Sequence, residues 1–100
     1  MEKRTPHYDL IAVQTSIRKL GVVVFTKAAL DGGRAMGLTS GEMLKVVASL
    51  SRRDFYKSMT SYADHSVWHD VYHAATPVGR VAYIKVTFRA SAVVIQFKEK

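Results

Sequence analysis

Residues 80–98 read RVAYIKVTFRASAVVIQFK, and the alternation within them decides the fold. In the first run Ala82, Ile84, Val86 and Phe88 share one parity, while Tyr83, Lys85, Thr87 and Arg89 share the other. In the second, Val93, Ile95 and Phe97 oppose Val94, Gln96 and Lys98. Successive side chains of a strand point to opposite faces, so each run predicts a strand with one apolar face and one polar, basic face. Both runs are rich in β-branched and aromatic residues, as strands are. Arg89 to Ser91 suits a hairpin connection, which makes the strands over 80–89 and 92–98 antiparallel neighbours.

Working upstream, Asp54 to His73 reads DFYKSMTSYADHSVWHDVYH. His65, His69 and His73 recur at four-residue spacing, which on a helix would bring them together. Val67, Trp68, Val71 and Tyr72 give the segment a strand composition instead. Residues four apart on a strand stand about 13 Å apart, too far for imidazoles that must each approach a shared zinc to about 2.1 Å. No metal site is therefore assigned. Strands are expected near 54–61 and 66–73, and Thr76, Pro77 and Gly79 mark the turn toward the next strand.

The first half has helical periodicity. Thr5 followed by Pro6 predicts an N-cap and first helical residue, with Leu10, Val13, Ile17 and Leu20 recurring at helical spacing until Gly21. The run Val22 to Phe25 reads as a short strand. Thr26 is placed to cap a second helix, which carries Gly32 and Gly33 and closes at Gly37. Thr39 with Glu42 forms a capping-box pattern ahead of a third helix bearing Met43, Val46, Val47 and Leu50. The predicted fold is α+β: N-terminal helices packed on one face of a mostly antiparallel sheet, in a single domain over residues 1–100.

The chain has no cysteine, which excludes disulfides, thiol nucleophiles and thiolate zinc sites. Its opening residues carry charge and a proline where a secretory signal needs an apolar core, and no apolar run approaches a membrane span, so a cytoplasmic protein is expected. Lysine and arginine outnumber aspartate and glutamate by 15 to 8, and Glu99 is the one acidic residue after Val71. That imbalance favours a polyanionic partner.

With the apolar alternates on the helices, the other face presents Tyr83, Lys85, Gln96 and Lys98, joined by Lys57 and His69. Lysines engage phosphates and rings stack on unpaired bases, so the face suits single-stranded RNA. The same residues also fit an ordinary solvated sheet surface whose lysines blunt edge-to-edge aggregation. RNA carries its own nucleophile, and its cleavage needs a base for the 2′-hydroxyl, cations for the phosphate and an acid for the leaving 5′-oxygen. Lys57 and Lys98 fit the phosphate, His69 fits proton transfer, and Tyr83 fits donation or positioning of a proton. A non-catalytic RNA-binding module, or a strand edge taken up by a partner chain, uses the same surface without chemistry.

The segments MEKRTPHY and DFYKSMTSYADH, the patterns W-x-D-V-Y at Trp68 to Tyr72 and Y-x-K at Tyr83 to Lys85, and the closing FKEK together resemble the MqsR family of bacterial toxins. The resemblance runs from end to end and implies an mRNA interferase with a RelE/YoeB-like fold, helices against an antiparallel sheet. It implies a type II toxin that cleaves mRNA at GC-containing sites without a cofactor, arresting translation and growth. Its partner would be an MqsA-like antitoxin with a zinc-bearing domain and a helix-turn-helix domain, so that zinc belongs to the partner. By motif position the family's active-site lysines and tyrosine fall on Lys57, Tyr83 and Lys98. A further position, one after the tryptophan, is glutamine in the family and His69 here. His69 is expected to hydrogen-bond the substrate as the amide would. Met59, Lys85, Arg80 and Arg89 are expected to contact or guide RNA, while His7 is read as a helix-end residue.

Overall fold

The computed structural model describes residues 1–89 and 92–100; residues 90 and 91 and the side chain of Arg89 lie outside the described part. The elements, in chain order, are β1 (Glu2–Lys3), α1 (Leu10–Leu20), a 3-10 turn over Gly21–Val24, α2 (Lys27–Ala35) and α3 (Ser40–Ala48). A second 3-10 turn over Arg52–Asp54 leads into β2 (Phe55–Thr60), β3 (Trp68–Ala75), β4 (Val81–Arg89) and β5 (Ala92–Glu99). The sheet order β1-β2-β3-β4-β5 follows the chain, and every ladder is antiparallel. The expected α+β layer is the one observed. Strands β4 and β5 pair from Ala82 with Glu99 to Arg89 with Ala92, as a hairpin requires, while its turn residues lie outside the described part.

One face of the sheet buries Tyr72, Ile84, Val86, Ile95 and Phe97 against Val13 and Ile17 of α1, Ala29 of α2 and Met43 and Val47 of α3. Along β4 and β5 these are the parities that the alternation assigned to the core. Thr26 caps α2 by accepting from Ala29 N at 3.0 Å, and Thr39 and Glu42 form the reciprocal capping box of α3. Gly32 and Gly33 have a packing reason within α2. A Cβ on Gly32 would stand 2.3 Å from the Phe97 carbonyl oxygen, and one on Gly33 would stand 2.2 Å from Met43 Sδ. Both glycines let α2 lie close to β5 and α3.

Two expectations about the first half fail. The first helix is capped by Asp9, whose side chain accepts from Ile11 N, and not by Thr5. Residues ahead of it are drawn elsewhere. Glu2 and Lys3 pair with Met59 and Ser58 as an unpredicted edge strand, and the amides of His7 and Tyr8 donate to the buried carboxylate of Asp70 at 2.8–3.0 Å. These long-range bonds override the local Thr-Pro signal. The Val22 to Phe25 run forms the 3-10 turn instead of a strand, with Gly21 at φ 67 ending α1 and only Phe25 bridging to Ile95. The Thr26 amide then donates to Ile95 O at 3.2 Å, tying the start of α2 to β5.

Candidate active site

Strand register assembles the site on the face turned away from the helices, since residues opposite each other in an antiparallel pair share a face. One cross-strand row joins His73, Tyr83 and Lys98. The next joins Lys57, Val71, Lys85 and Gln96. A third joins Met59 to His69 and Thr87 to Val94, and a short hydrogen bond between His69 Nδ1 and Thr87 Oγ1 links its halves. Successive rows lie about 7 Å apart, two residues along a strand. Lys57, Met59, His69, Tyr83, Lys85 and Lys98 thus fall on one surface.

Lys57 reaches this face because of a bulge. Phe55 pairs with Tyr72 and Lys57 with Val71, so two residues of β2 span one step of β3. In a regular strand Phe55 and Lys57 would share a face. The bulge turns Phe55 edge-on against the buried Tyr72 ring, at 5.6 Å, and leaves Lys57 on the open side. The intervening Tyr56 stacks on His73 at 4.4 Å, and His73 leans on Tyr83 at 5.6 Å. Lys98 Nζ lies 5.3 Å from the centre of the Tyr83 ring. Burial, with the Lys100 charge beyond it, lowers the His73 pKa, favouring the neutral imidazole.

The cations of this face differ in their partners. Lys57 Nζ lies 2.6 Å from Glu2 Oε1, and this bond and its charge raise the lysine pKa while the lysine lowers that of the carboxyl. Lys85 and Lys98 form no salt bridge among the described residues. Burial, then the nearby Lys98 charge, lowers the Lys85 pKa. Arg80 stands apart from the cluster, its guanidinium 3.0 Å from Glu99 at the sheet's end, and Glu99 pairs with Ala82 on the helix side. Arg89's side chain lies outside the described part.

His69 is oriented by Thr87, which is buried and also donates to Trp68 O at 3.1 Å. The threonine has one proton to give, so with it on the carbonyl the imidazole donates from Nδ1 to Thr87 Oγ1. His65 stands in the segment between β2 and β3, outside the strand that carries His69 and His73.

Two clefts open on this face. One, of about 390 Å³, lies between the start of α2 and the Tyr83 and Lys98 side chains. The other, of about 530 Å³, lies between residues 59–63 and His69, Thr87 and Val94. Lys85 and Gln96 line both.

The profile of the family described as "Motility quorum-sensing regulator, toxin of MqsA" matches residues 5–99. The chain belongs to the MqsR toxin family. It is 43% identical over 100 residues, all of both chains, to a protein of Escherichia coli (strain K12) named mRNA interferase toxin MqsR. Lys57, His69, Tyr83 and Lys98, the residues singled out in the sequence, all lie on the open sheet face.

Glu2, Thr87, Tyr56 and His73 escaped the sequence reading of the site. Parity along β3 and β4 was enough to find His73 and Thr87. Nothing local could pair Glu2 with Lys57.

Proposed function

We propose that this protein is the toxin of a type II toxin–antitoxin pair and that it cleaves mRNA on the open face of its sheet. The observation that carries the proposal is the end-to-end identity with a relative named an mRNA interferase toxin. The cluster of Lys57, His69, Tyr83, Lys85 and Lys98 supplies the chemistry such a reaction needs. The attacking 2′-oxygen forms a bond to phosphorus as its proton leaves to a base, and the bond to the 5′-oxygen breaks as an acid protonates it. The products are a 2′,3′-cyclic phosphate and a 5′-hydroxyl end. The lysines stabilise the charge gathering on the phosphate, worth two to three orders of magnitude in rate for each well-placed donor by analogy with oxyanion holes, roughly 10²–10³. Tyr83, with Lys98 against its ring, donates or positions a proton. His69 holds the substrate through a hydrogen bond.

Arg80, engaged with Glu99, and Arg89 add positive charge for the approach of RNA, and Met59 contacts a base beside His69. The substrate is mRNA cut at GC-containing sites in the cytoplasm, and the inhibitor is an MqsA-like antitoxin carrying its own zinc and helix-turn-helix domain. Family membership as a toxin of MqsA supports that partner.

The test is incubation of purified protein with a long mixed-sequence RNA in EDTA, followed by mapping of new 5′ ends, with Lys57→Ala alongside. Cuts at GC-containing sites bearing 5′-hydroxyl ends, absent with the variant, are the expected result. RNA that is bound and left whole would overturn the reading in favour of a non-catalytic binding module.

A further inference from the structure

Lys85 occupies a singular place on the open face. It stands in the middle strand of the β3–β4–β5 surface, in the row between His73–Tyr83–Lys98 and His69–Thr87–Val94. With Gln96 it lines both clefts, so the two cavities meet over this pair. Lys85 is partly buried, and among the described residues no carboxylate pairs with it. Its charged neighbour is another lysine, Lys98, which lowers its affinity for a proton. Lys57, Arg80, Lys27 and Arg34 all have acidic partners. A partly buried ammonium with a second cation nearby is an unfavourable arrangement that a bound anion relieves.

The cavities give that anion a context. Each has the volume of a small-ligand site, for which about 300–1,000 Å³ is usual. The first offers the Tyr83 ring and the Lys98 ammonium beside the exposed Ala28. The second offers the Met59 thioether, His69 and the fully exposed Tyr62 ring. Each therefore has an apolar or aromatic wall for a base and polar groups to orient it.

We propose that the two clefts are adjoining nucleotide subsites of single-stranded RNA and that Lys85 binds the phosphate between the two nucleotides. The inference rests on the reading of this face as an RNA-cleaving site and places the scissile phosphate on it. Tyr83 and Lys98 then approach that phosphate from one side and His69 from the other. Gln96, shared by both clefts, contacts the ribose or base edge at the junction.

A dinucleoside monophosphate with a 2′-deoxyribose on its 5′ side tests this without relying on cleavage, because it carries two bases, one phosphate and no nucleophile. In an NMR titration of the whole protein, backbone amides near Ala28 and those of residues 60–63 are expected to shift together along one binding curve. Lys85→Ala is expected to weaken binding on the order of tenfold, the scale of one charge-assisted contact. Shifts confined to one cleft, or unchanged affinity in the variant, would overturn the proposal. A second arm uses cleavage of a randomised RNA pool by Ala28→Trp and Val94→Trp, each filling one cleft from a position that is not fully buried. Each is expected to change base preference on one side of the cut only, and on opposite sides. A change on the same side in both, or in neither, would contradict the subsites while leaving the nuclease reading intact. A wild-type protein that binds the dinucleotide in both clefts yet cuts no RNA would refute the nuclease and leave the subsites standing.

Discussion

Replacing Asp70 by alanine should unfasten the N-terminal strand from the sheet. Asp70 is fully buried on the helix side of β3, and its carboxylate accepts from His7 N at 3.0 Å on both oxygens and from Tyr8 N at 2.8 Å on one. Two backbone donors therefore depend on one side chain. Hydrogen bonds to a charged group contribute about 1.5–3 kcal/mol each, and a partly buried amide left without a partner costs a similar amount. Two donors give about 3–6 kcal/mol, and relief from burying a carboxylate brings the net expectation to about 3 kcal/mol. In a domain of this size each kcal/mol lowers Tm by about 4–8 °C, so the loss should be about 12–24 °C. The single tryptophan, Trp68, accepts from Tyr8 Oη through its carbonyl and stacks with His7, so its fluorescence reports the unfastening directly. Thermal and urea unfolding followed at that residue provide the assay. Asp70→Asn, which keeps one acceptor oxygen, should fall between wild type and alanine. A Tm within about 4 °C of wild type for Asp70→Ala would refute the anchoring argument, since it corresponds to less than about 1 kcal/mol.

Lys57→Gln removes one cation from the open face and should make the salt dependence of single-stranded RNA binding shallower by about 0.7 in log–log slope, the increment for one phosphate contact; an unchanged slope would argue that Lys57 meets no phosphate. Gly32→Ala should destabilise the protein by up to about 3 kcal/mol in urea unfolding, because the new methyl meets the rigid Phe97 carbonyl; a stabilised variant would show that α2 can move off β5. His69→Gln should keep most RNA cleavage at about pH 7.5, whereas a loss beyond about a hundredfold would make His69 an acid–base group. The pKa of His73 is lower in the folded protein, so the unfolded chain takes up the extra proton as pH falls below about 6.5. Stability should therefore decline from about pH 7 downward through the depressed folded value, and His73→Gln should flatten that part of the urea-midpoint profile; an unaltered profile would exclude His73 as the source.

The elements legible in the sequence are those whose information is local. Alternation along Val81 to Phe97 gives the two C-terminal strands their faces, and Thr26, Thr39 and Glu42 mark helix starts through bonds made within three residues. Thr5 and Pro6 carry an equally good local signal, yet Asp70, more than sixty residues away, takes the amides that follow them. The same distance hides β1, whose Glu2 and Lys3 have no periodicity to read. Site residues on β3, β4 and β5 follow from parity once the strands are known. Lys57 does not, because strict alternation from the core residue Phe55 would turn it inward, and only the bulge at Tyr56 brings it to the open face. Its pairing with Glu2 depends on the edge strand and was beyond sequence reasoning for that reason.

The sharpest test of RNA cleavage by the open face of the sheet is the single-turnover rate of Tyr83→Phe on a short RNA with one cut site, in EDTA, with Tm measured in parallel. This substitution removes one hydroxyl from a partly buried ring and leaves its contacts with His73 and Lys98 in place. The expected result is an unchanged Tm and a rate lower by about a hundredfold or more, the scale of a general acid's contribution. A folded Tyr83→Phe protein that cuts at the wild-type rate would contradict it.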